Sequence, residues 1–223
     1  MKKNLVQQTK KRVLLVDDHP MMRGGLAEII NQQQDLVACC QADNAQEAMQ
    51  RICAAKPDLA IIDISLEGKS GLELINDLQA SHPEVPILVM SMHDETLYAE
   101  RALRAGARGY VMKKAGGEVV LQAIREVLSG KVYLSEKMSG QMLEIFAGRH
   151  TLAKSPIELL TDREFEVFRF IGEGCITREI AKRMHISPKT VDVYRQRLKE
   201  KLKLDNATAL VQHAVRWVET QDQ

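Results

Sequence analysis

The sequence predicts an α/β domain built on a five-stranded, doubly wound parallel sheet, followed by a small all-α domain. Three observations carry that expectation. Over residues 12–130, short runs that are apolar throughout alternate five times with amphipathic segments of helix length. Strands apolar on both faces belong to a parallel sheet covered by helices on both sides. Residues 159–218 hold no strand-like run and read as four short helices. The charge divides along the same line: residues 13–150 hold 13 Lys/Arg against 19 Asp/Glu, and residues 151–223 hold 13 against 11.

Each element has a local reason. Val13-Leu14-Leu15-Val16 reads as a buried first strand. Pro20 opens a helix through about Ile30, because Pro is favoured at the first helical position. Leu36 to Cys40 reads as a second strand, and Asn44 is placed to cap a helix through Ala54. Leu59-Ala60-Ile61-Ile62 is the third strand, followed by a helix from Gly71 to Leu78. Ile87 to Met90 is the fourth, followed by a helix from Thr96 to Ala105 that Gly106 stops. Gly109-Tyr110-Val111-Met112 is the fifth, and a helix from Glu118 to Leu128 ends before Gly130. The expected organisation is a basic tail over 1–11, an α/β domain over 12–130, a partly helical linker over 131–158, and a helical domain over 159–223. Within the linker, Met138 to Phe146 reads as helix, and the polar stretch after it is broken by Gly148 and Pro156.

Composition narrows the function classes. No run of about 18 apolar residues exists, so no membrane span is expected. The N-terminus has no apolar signal core. Cys39, Cys40, Cys53 and Cys175 are spaced like neither a disulfide framework nor a zinc site, and read as reduced cysteines of a cytoplasmic protein. Residues 1–12 hold five Lys/Arg and no acid, and residues 178–203 hold nine basic and three acidic residues. An acidic domain followed by a local basic stretch suggests two jobs in one chain.

In open parallel sheets, ligands bind beyond the carboxyl ends of the strands. Here the first strand ends at Asp17-Asp18, the third at Asp63, the fourth at Ser91 and the fifth at Lys113. Three carboxylates, a hydroxyl and an ammonium would therefore converge on one edge. Clustered carboxylates invite a hard divalent cation such as Mg²⁺. Asp63 has the chemistry of a nucleophile that forms an acyl phosphate, with Lys113 balancing charge on the phosphoryl oxygens.

Residues 12–130 resemble a response-regulator receiver domain, which is flavodoxin-like in fold. The resemblance is carried by Val-Asp17-Asp18-His-Pro20, Ile-Ile-Asp63-Ile-Ser-Leu with Gly71, Val-Met-Ser91, and Ala-Gly106-Ala-Arg-Gly109-Tyr110-Val-Met-Lys113. It implies that Asp17 and Asp18 hold Mg²⁺ with Asp63 and the backbone carbonyl of Ser65, and that Asp63 accepts the phosphoryl group from a sensor histidine kinase. It also implies that Ser91 and Tyr110 form a switch pair, the hydroxyl moving to the phosphate and the ring turning inward on phosphorylation. Lys113 rather than Lys114 is assigned from the Gly-Tyr-x-x-Lys spacing. Glu67-Gly68-Lys69 departs from many relatives, which carry Met-Pro nearer the aspartate.

In the C-terminal part, Thr161-x-x-Glu164 is a capping box that starts a helix, which Gly172 and Gly174 end. Thr177 is placed to cap the next. Ser187-Pro188 starts a third, through Lys201, that buries Val191, Tyr194, Leu198 and Leu202. Two short helices joined by a tight turn, the second one basic, describe a helix-turn-helix. Lys189, Val193, Gln196 and Arg197 project opposite the buried stripe, with Val193 suited to a thymine methyl and Gln196 to adenine. Lys182, Arg183, Arg195, Lys199 and Lys201 are placed for phosphates. The region resembles the DNA-binding domain of the LuxR/FixJ (NarL-type) family through Leu160-Thr-x-Arg163-Glu164, Gly174, Glu179-Ile180-Ala181, Ile186-Ser187-x-Lys189-Thr190-Val191 and Lys201-Leu202. Asp192 and Tyr194 stand where many relatives have Lys and His. The resemblance implies double-stranded DNA as partner, a homodimer formed through the last helix, and RNA polymerase as a further contact. Val211, His213, Ala214 and Val215 are the dimer candidates, and Trp217 is expected in the core.

The reading is a transcription regulator switched by phosphorylation of Asp63, and not an enzyme. A phosphohydrolase using an aspartyl phosphate needs an acid two residues after the nucleophile, and Ser65 stands there. The alternative is a DNA-binding regulator whose receiver serves mainly in dimerisation, independent of phosphorylation.

Overall fold

The structure is a computed structural model that describes residues 9–66, 68–93, 95–146 and 156–221. Lys2 and Lys3 of the basic tail, Glu67 of the loop after Asp63, and the stretch from Ala147 to Ser155 lie outside the described residues. The chain divides into two compact units, one ending at Leu143 and the other starting at Glu144.

The first unit alternates strand and helix: β1 (Lys11–Val16), α1 (Pro20–Asn31), β2 (Leu36–Ala42), α2 (Ala45–Ala55), β3 (Leu59–Ile62), α3 (Gly71–Ser81), β4 (Ile87–Ser91), α4 (Glu95–Arg104), β5 (Gly109–Met112) and α5 (Gly117–Leu128). The five strands form one parallel sheet in the order β2-β1-β3-β4-β5. Successive side chains leave a strand on opposite faces. Val13, Leu15, Ile61 and Met90 therefore pack with α1 and α5 through Leu26, Ile30, Leu121 and Ile124. The alternate residues Leu14, Val16, Ala60 and Ile62 are equally buried, as expected of a sheet covered on both faces.

Capping fixes the helix starts. Asn44 Oδ1 accepts from the Glu47 N–H at 2.9 Å, as expected. Ser70 and Glu73 make a capping box at α3 that the sequence reading did not identify. The chain then continues into α6 (Glu136–Phe146). Its approach is tied to the first unit: the Tyr133 N–H donates to the Arg108 carbonyl at 3.0 Å, the Ser135 hydroxyl donates to Glu95 Oε1 at 2.6 Å, and Met138 is buried.

The second unit holds a 3₁₀ turn (Pro156–Leu159), α7 (Asp162–Gly172), α8 (Thr177–Arg183), α9 (Pro188–Leu202) and α10 (Ala207–Gln221). Phe165, Phe168, Ile171, Ile180, Val191, Leu198 and Leu210 fill its core. A Cβ on Gly172 would lie 2.5 Å from the Ala214 carbonyl oxygen, so glycine there lets α7 and α10 approach closely. Three expectations are corrected. Thr177 is the first helical residue and not the cap; Ile176 holds that position, and Glu179 reaches back to accept from its N–H at 3.0 Å. Tyr194 is only half-buried. Ala214 is fully buried against α7 and presents nothing to a second copy, whereas Val211 and His213 are exposed. Trp217 packs on Phe165 and Phe168, with ring centroids 5.4 and 5.6 Å apart. No described helix is long and apolar enough to cross a membrane.

Candidate functional site

The strand order reverses between β1 and β3, since the chain runs outward from β1 to β2 and returns to the other side. The crevice beyond their carboxyl ends is where such sheets bind ligands, and Asp17 and Asp63 stand there. The Asp63 N–H donates to the Val16 carbonyl at 2.9 Å, and the Asp17 N–H to Ala42 at 3.1 Å, which extends the ladder to the acids themselves. Arg23 of α1 donates to the Asp17 carbonyl. Behind Asp63, a Cβ on Gly71 would lie 2.0 Å from the Asp63 carbonyl oxygen, so α3 starts hard against the Asp63 backbone.

Lys113 reaches between the two buried acids. Its Nζ lies 2.7 Å from Asp17 Oδ2 and 2.8 Å from Asp63 Oδ2, and its side chain is 2% exposed. The bond to Asp63 is well aligned; the contact with Asp17 Oδ2 is an ion pair without hydrogen-bond alignment. Asp63 Oδ1 is buried and accepts no well-formed hydrogen bond. Asp18 is half-buried beside them. His19 covers the acids from the solvent side, with Nδ1 2.6 Å from Asp18 Oδ1 and 3.3 Å from Asp17 Oδ1. Burial pushes the Asp63 carboxyl above its ordinary range, with Lys113 opposing and Asp17 adding to the rise. Burial works against the Lys113 ammonium, but Asp63 and Asp17 outweigh it and hold the proton on. Lys113 is thus a fixed positive charge between two acids.

One ligand atom from each of Asp17, Asp18, His19 and Asp63 lies within 4.8 Å of the others. Three of the four are carboxylates, and each of them has one oxygen buried without a well-formed hydrogen bond: Asp17 Oδ2, Asp18 Oδ1 and Asp63 Oδ1. That donor set fits a hard cation that takes one or two carboxylates and keeps its waters.

Ser91 is fully buried, and its hydroxyl accepts from the His93 N–H at 3.2 Å. The Tyr110 ring is already buried, and its hydroxyl donates to the His93 carbonyl at 2.8 Å. His93 is a residue the sequence reading missed. Its ring meets the Ser65 hydroxyl at 2.8 Å and stacks on Tyr98 of α4 at 4.6 Å between centroids. The available signal was positional: His93 stands two residues past Ser91, as Ser65 stands two past Asp63. His19 was missed as well, because a lone histidine between Asp18 and Pro20 shows no ligand spacing.

In the second unit, α8 and α9 are joined by a turn in which His185 has φ 53°. Ser187 caps α9 by accepting from the Thr190 N–H at 3.0 Å. Val191, Leu198 and Leu202 are buried, which turns Lys189, Val193, Gln196 and Arg197 outward; all four are exposed, as is Lys182. Arg195 and Lys199 are half-exposed. Two expected phosphate contacts are engaged elsewhere. Lys201 Nζ bonds Glu164 Oε2 at 2.7 Å and the Leu159 carbonyl at 3.2 Å, which ties α9 to the start of α7. Arg183 lies over the Phe170 ring and pairs with Glu173 at 3.4 Å.

Comparison with known proteins agrees with both halves. The family described as "Response regulator receiver domain" matches residues 13–125, and that described as "Bacterial regulatory proteins, luxR family" matches residues 158–214. The oxygen regulatory protein NreC of Staphylococcus haemolyticus is 32% identical over 92% of this chain and 97% of its own. A two-component response regulator of the LuxR family from Aurantimonas superposes with TM-score 0.58 and 29% identity, over 62% of this chain and 99% of its own. The RcsB response regulator of Salmonella typhimurium shares the fold, with TM-score 0.65 and 22% identity over 93% and 98% of the two chains. A Lys-bridged acidic crevice at the end of a 2-1-3-4-5 parallel sheet, ahead of a helix-turn-helix, places the chain in the bacterial response regulators whose receiver domain precedes a luxR-family DNA-binding domain.

Proposed function

We propose that Asp63 is the phospho-acceptor and that its phosphorylation switches the action of the α8–α9 module on double-stranded DNA. The observation behind this reading is the division of labour between the two oxygens of Asp63. Oδ2 is held by Lys113 at 2.8 Å, while Oδ1 is buried without a well-aligned donor and so is free to attack phosphorus. The donor is a phosphohistidine of a sensor histidine kinase. Its P–N bond breaks as the P–O bond to Asp63 forms, and the imidazole leaves with the electron pair. Lys113 stands where charge grows on the phosphoryl oxygens. Ser91 exchanges its bond with the His93 N–H for one to a phosphoryl oxygen, and Tyr110 holds the inward position that the exchange favours. Asp17, Asp18 and Asp63, with the Ser65 backbone carbonyl, would hold Mg²⁺, which when bound shields the phosphoryl charge.

On DNA, the first turns of α9 enter the major groove with Lys189, Val193, Gln196 and Arg197 toward the bases, while Lys182, Arg195 and Lys199 reach phosphates. One module alone touches few phosphates, and two copies on two half-sites supply the larger interface that specific binding needs. The chain acts in the cytoplasm, with RNA polymerase as a further partner. It is not an enzyme: Ser65 occupies the position where a phosphohydrolase would carry its acid. The test is labelling with radioactive acetyl phosphate. The expected result is at most one phosphoryl group per chain, dependent on Mg²⁺ and absent in Asp63→Asn. Equal labelling of both proteins, or continuous release of phosphate from an ester, would overturn the reading.

A further inference from the structure

We propose that Cys39 and Cys40 form a bidentate dithiol site for trivalent arsenic, taken up as arsenous acid. Consecutive residues of a strand normally point to opposite faces, yet Cys39 Sγ and Cys40 Sγ lie 3.4 Å apart. The pairing of β1 with β2 explains this. Val13 stands opposite Ala38, but Leu14 stands opposite Cys40, so Cys39 is an extra residue in the ladder. Such a bulge re-aims the side chains beside it. Both cysteines are half-buried, on the edge strand of the sheet.

Geometry selects the ligand. Neighbouring Cα atoms are about 3.8 Å apart, below the roughly 4.4 Å at which ordinary disulfides begin. Oxidation to a disulfide is therefore strained, and the pair persists as a dithiol. An acceptor about 2.3 Å from each sulfur, the length of a zinc–thiolate bond, would subtend about 95° across their 3.4 Å separation. That is well under the tetrahedral angle of structural zinc. Among the described residues, no cluster of three or more metal-binding side chains includes them. A three-coordinate pyramidal centre needs only the two sulfurs and one oxygen. In the reaction, two S–As bonds form and two As–O bonds of arsenous acid break. Each thiol proton leaves with a hydroxide as water, one hydroxyl stays on arsenic, and the oxidation state does not change. Burial, with the neighbouring Cys39, pushes the Cys40 thiol up to about 12. A neutral acceptor that releases water is thus favoured over a dication that needs two thiolates.

The test is a thiol count on the reduced full-length chain with and without arsenite, together with its intact mass. Titratable thiols should fall from the four free cysteines to two, with one arsenic per chain. Removing one arm of a chelate lowers affinity by about 10²- to 10⁴-fold, so Cys39→Ser and Cys40→Ser should each do so, while Cys53→Ser and Cys175→Ser retain binding. The proposal falls if all four thiols still titrate in arsenite, if Cys39→Ser binds as tightly as wild type, or if zinc protects the pair at lower concentration than arsenite. The wild-type count and mass need no variant and stand even where a substitution impairs folding.

Discussion

Gly71→Ala is expected to damage both the fold and the chemistry of the receiver. The added Cβ would sit 2.0 Å from the Asp63 carbonyl oxygen, 2.8 Å from Ile64 Cα and 2.9 Å from the Asp63 carbonyl carbon. Ordinary contact begins near 3.4 Å, so the start of α3 and the Asp63 backbone must separate by about 1.4 Å. Every opposing atom is backbone, and no side-chain rotation relieves the clash. Overpacking of this kind costs about 1–3 kcal/mol, or a fall of roughly 4–12 °C in Tm for a domain of this size. Displacing a reacting group by about 1 Å costs on the order of 10²-fold in rate, so phosphorylation of Asp63 should slow by about that factor. The control is Gly24→Ala. Gly24 lies within α1 with nothing within 4 Å of a built Cβ, and the same substitution there should stabilise by about 0.5–1 kcal/mol. Thermal melts by circular dichroism and acetyl phosphate labelling read both effects. If Gly71→Ala melts at or above the wild-type temperature and labels at the wild-type rate, the close approach of α3 to Asp63 is wrong.

Two further outcomes follow from the second unit. Burial raises the Glu166 carboxyl to about 7, with Arg163 only partly opposing. A group whose folded pKa is raised contributes stability below its unfolded value, and that contribution is lost as pH rises through the folded value. The C-terminal unit should therefore weaken as pH rises from about 4.5 to about 7, and Glu166→Gln should flatten that dependence; an unchanged pH profile of melting in the variant would contradict it. Lys189→Ala and Arg197→Ala should each weaken DNA binding, and wherever the removed side chain neutralised a phosphate the salt slope should drop by about one unit. Unchanged affinity and slope in both would reject the docking of α9.

Much of the receiver was legible because a parallel sheet converts sequence into position. A strand apolar throughout announces its own end, and Asp17, Asp63, Ser91 and Lys113 are each read from such an end. The Gly-Tyr-x-x-Lys spacing chose Lys113 over Lys114, and the structure places Lys113 between the acids. What the sequence hid depends on pairs distant along the chain. Lys201 looked like a free basic residue until its bond to Glu164, 37 residues away, was seen. The bulge at Cys39 exists only in the register between two strands. His93 joins Ser65, Ser91, Tyr98 and Tyr110 through contacts that no single periodicity encodes. Ala214 satisfied the helical pattern of an exposed contact, but the close packing of α10 on Gly172 buries it.

The central claim is that the state of Asp63 sets the affinity of α9 for DNA. Its direct test is the affinity of the full-length chain, before and after phosphorylation with acetyl phosphate and Mg²⁺, for DNA fragments that the protein itself selects, at fixed salt and with Asp63→Ala alongside. Coupling of the usual size, about 1–3 kcal/mol, predicts that phosphorylated wild type binds roughly 5- to 150-fold tighter, while Asp63→Ala does not change. Equal affinity of wild type in the two states would contradict the account and leave the receiver a dimerisation module.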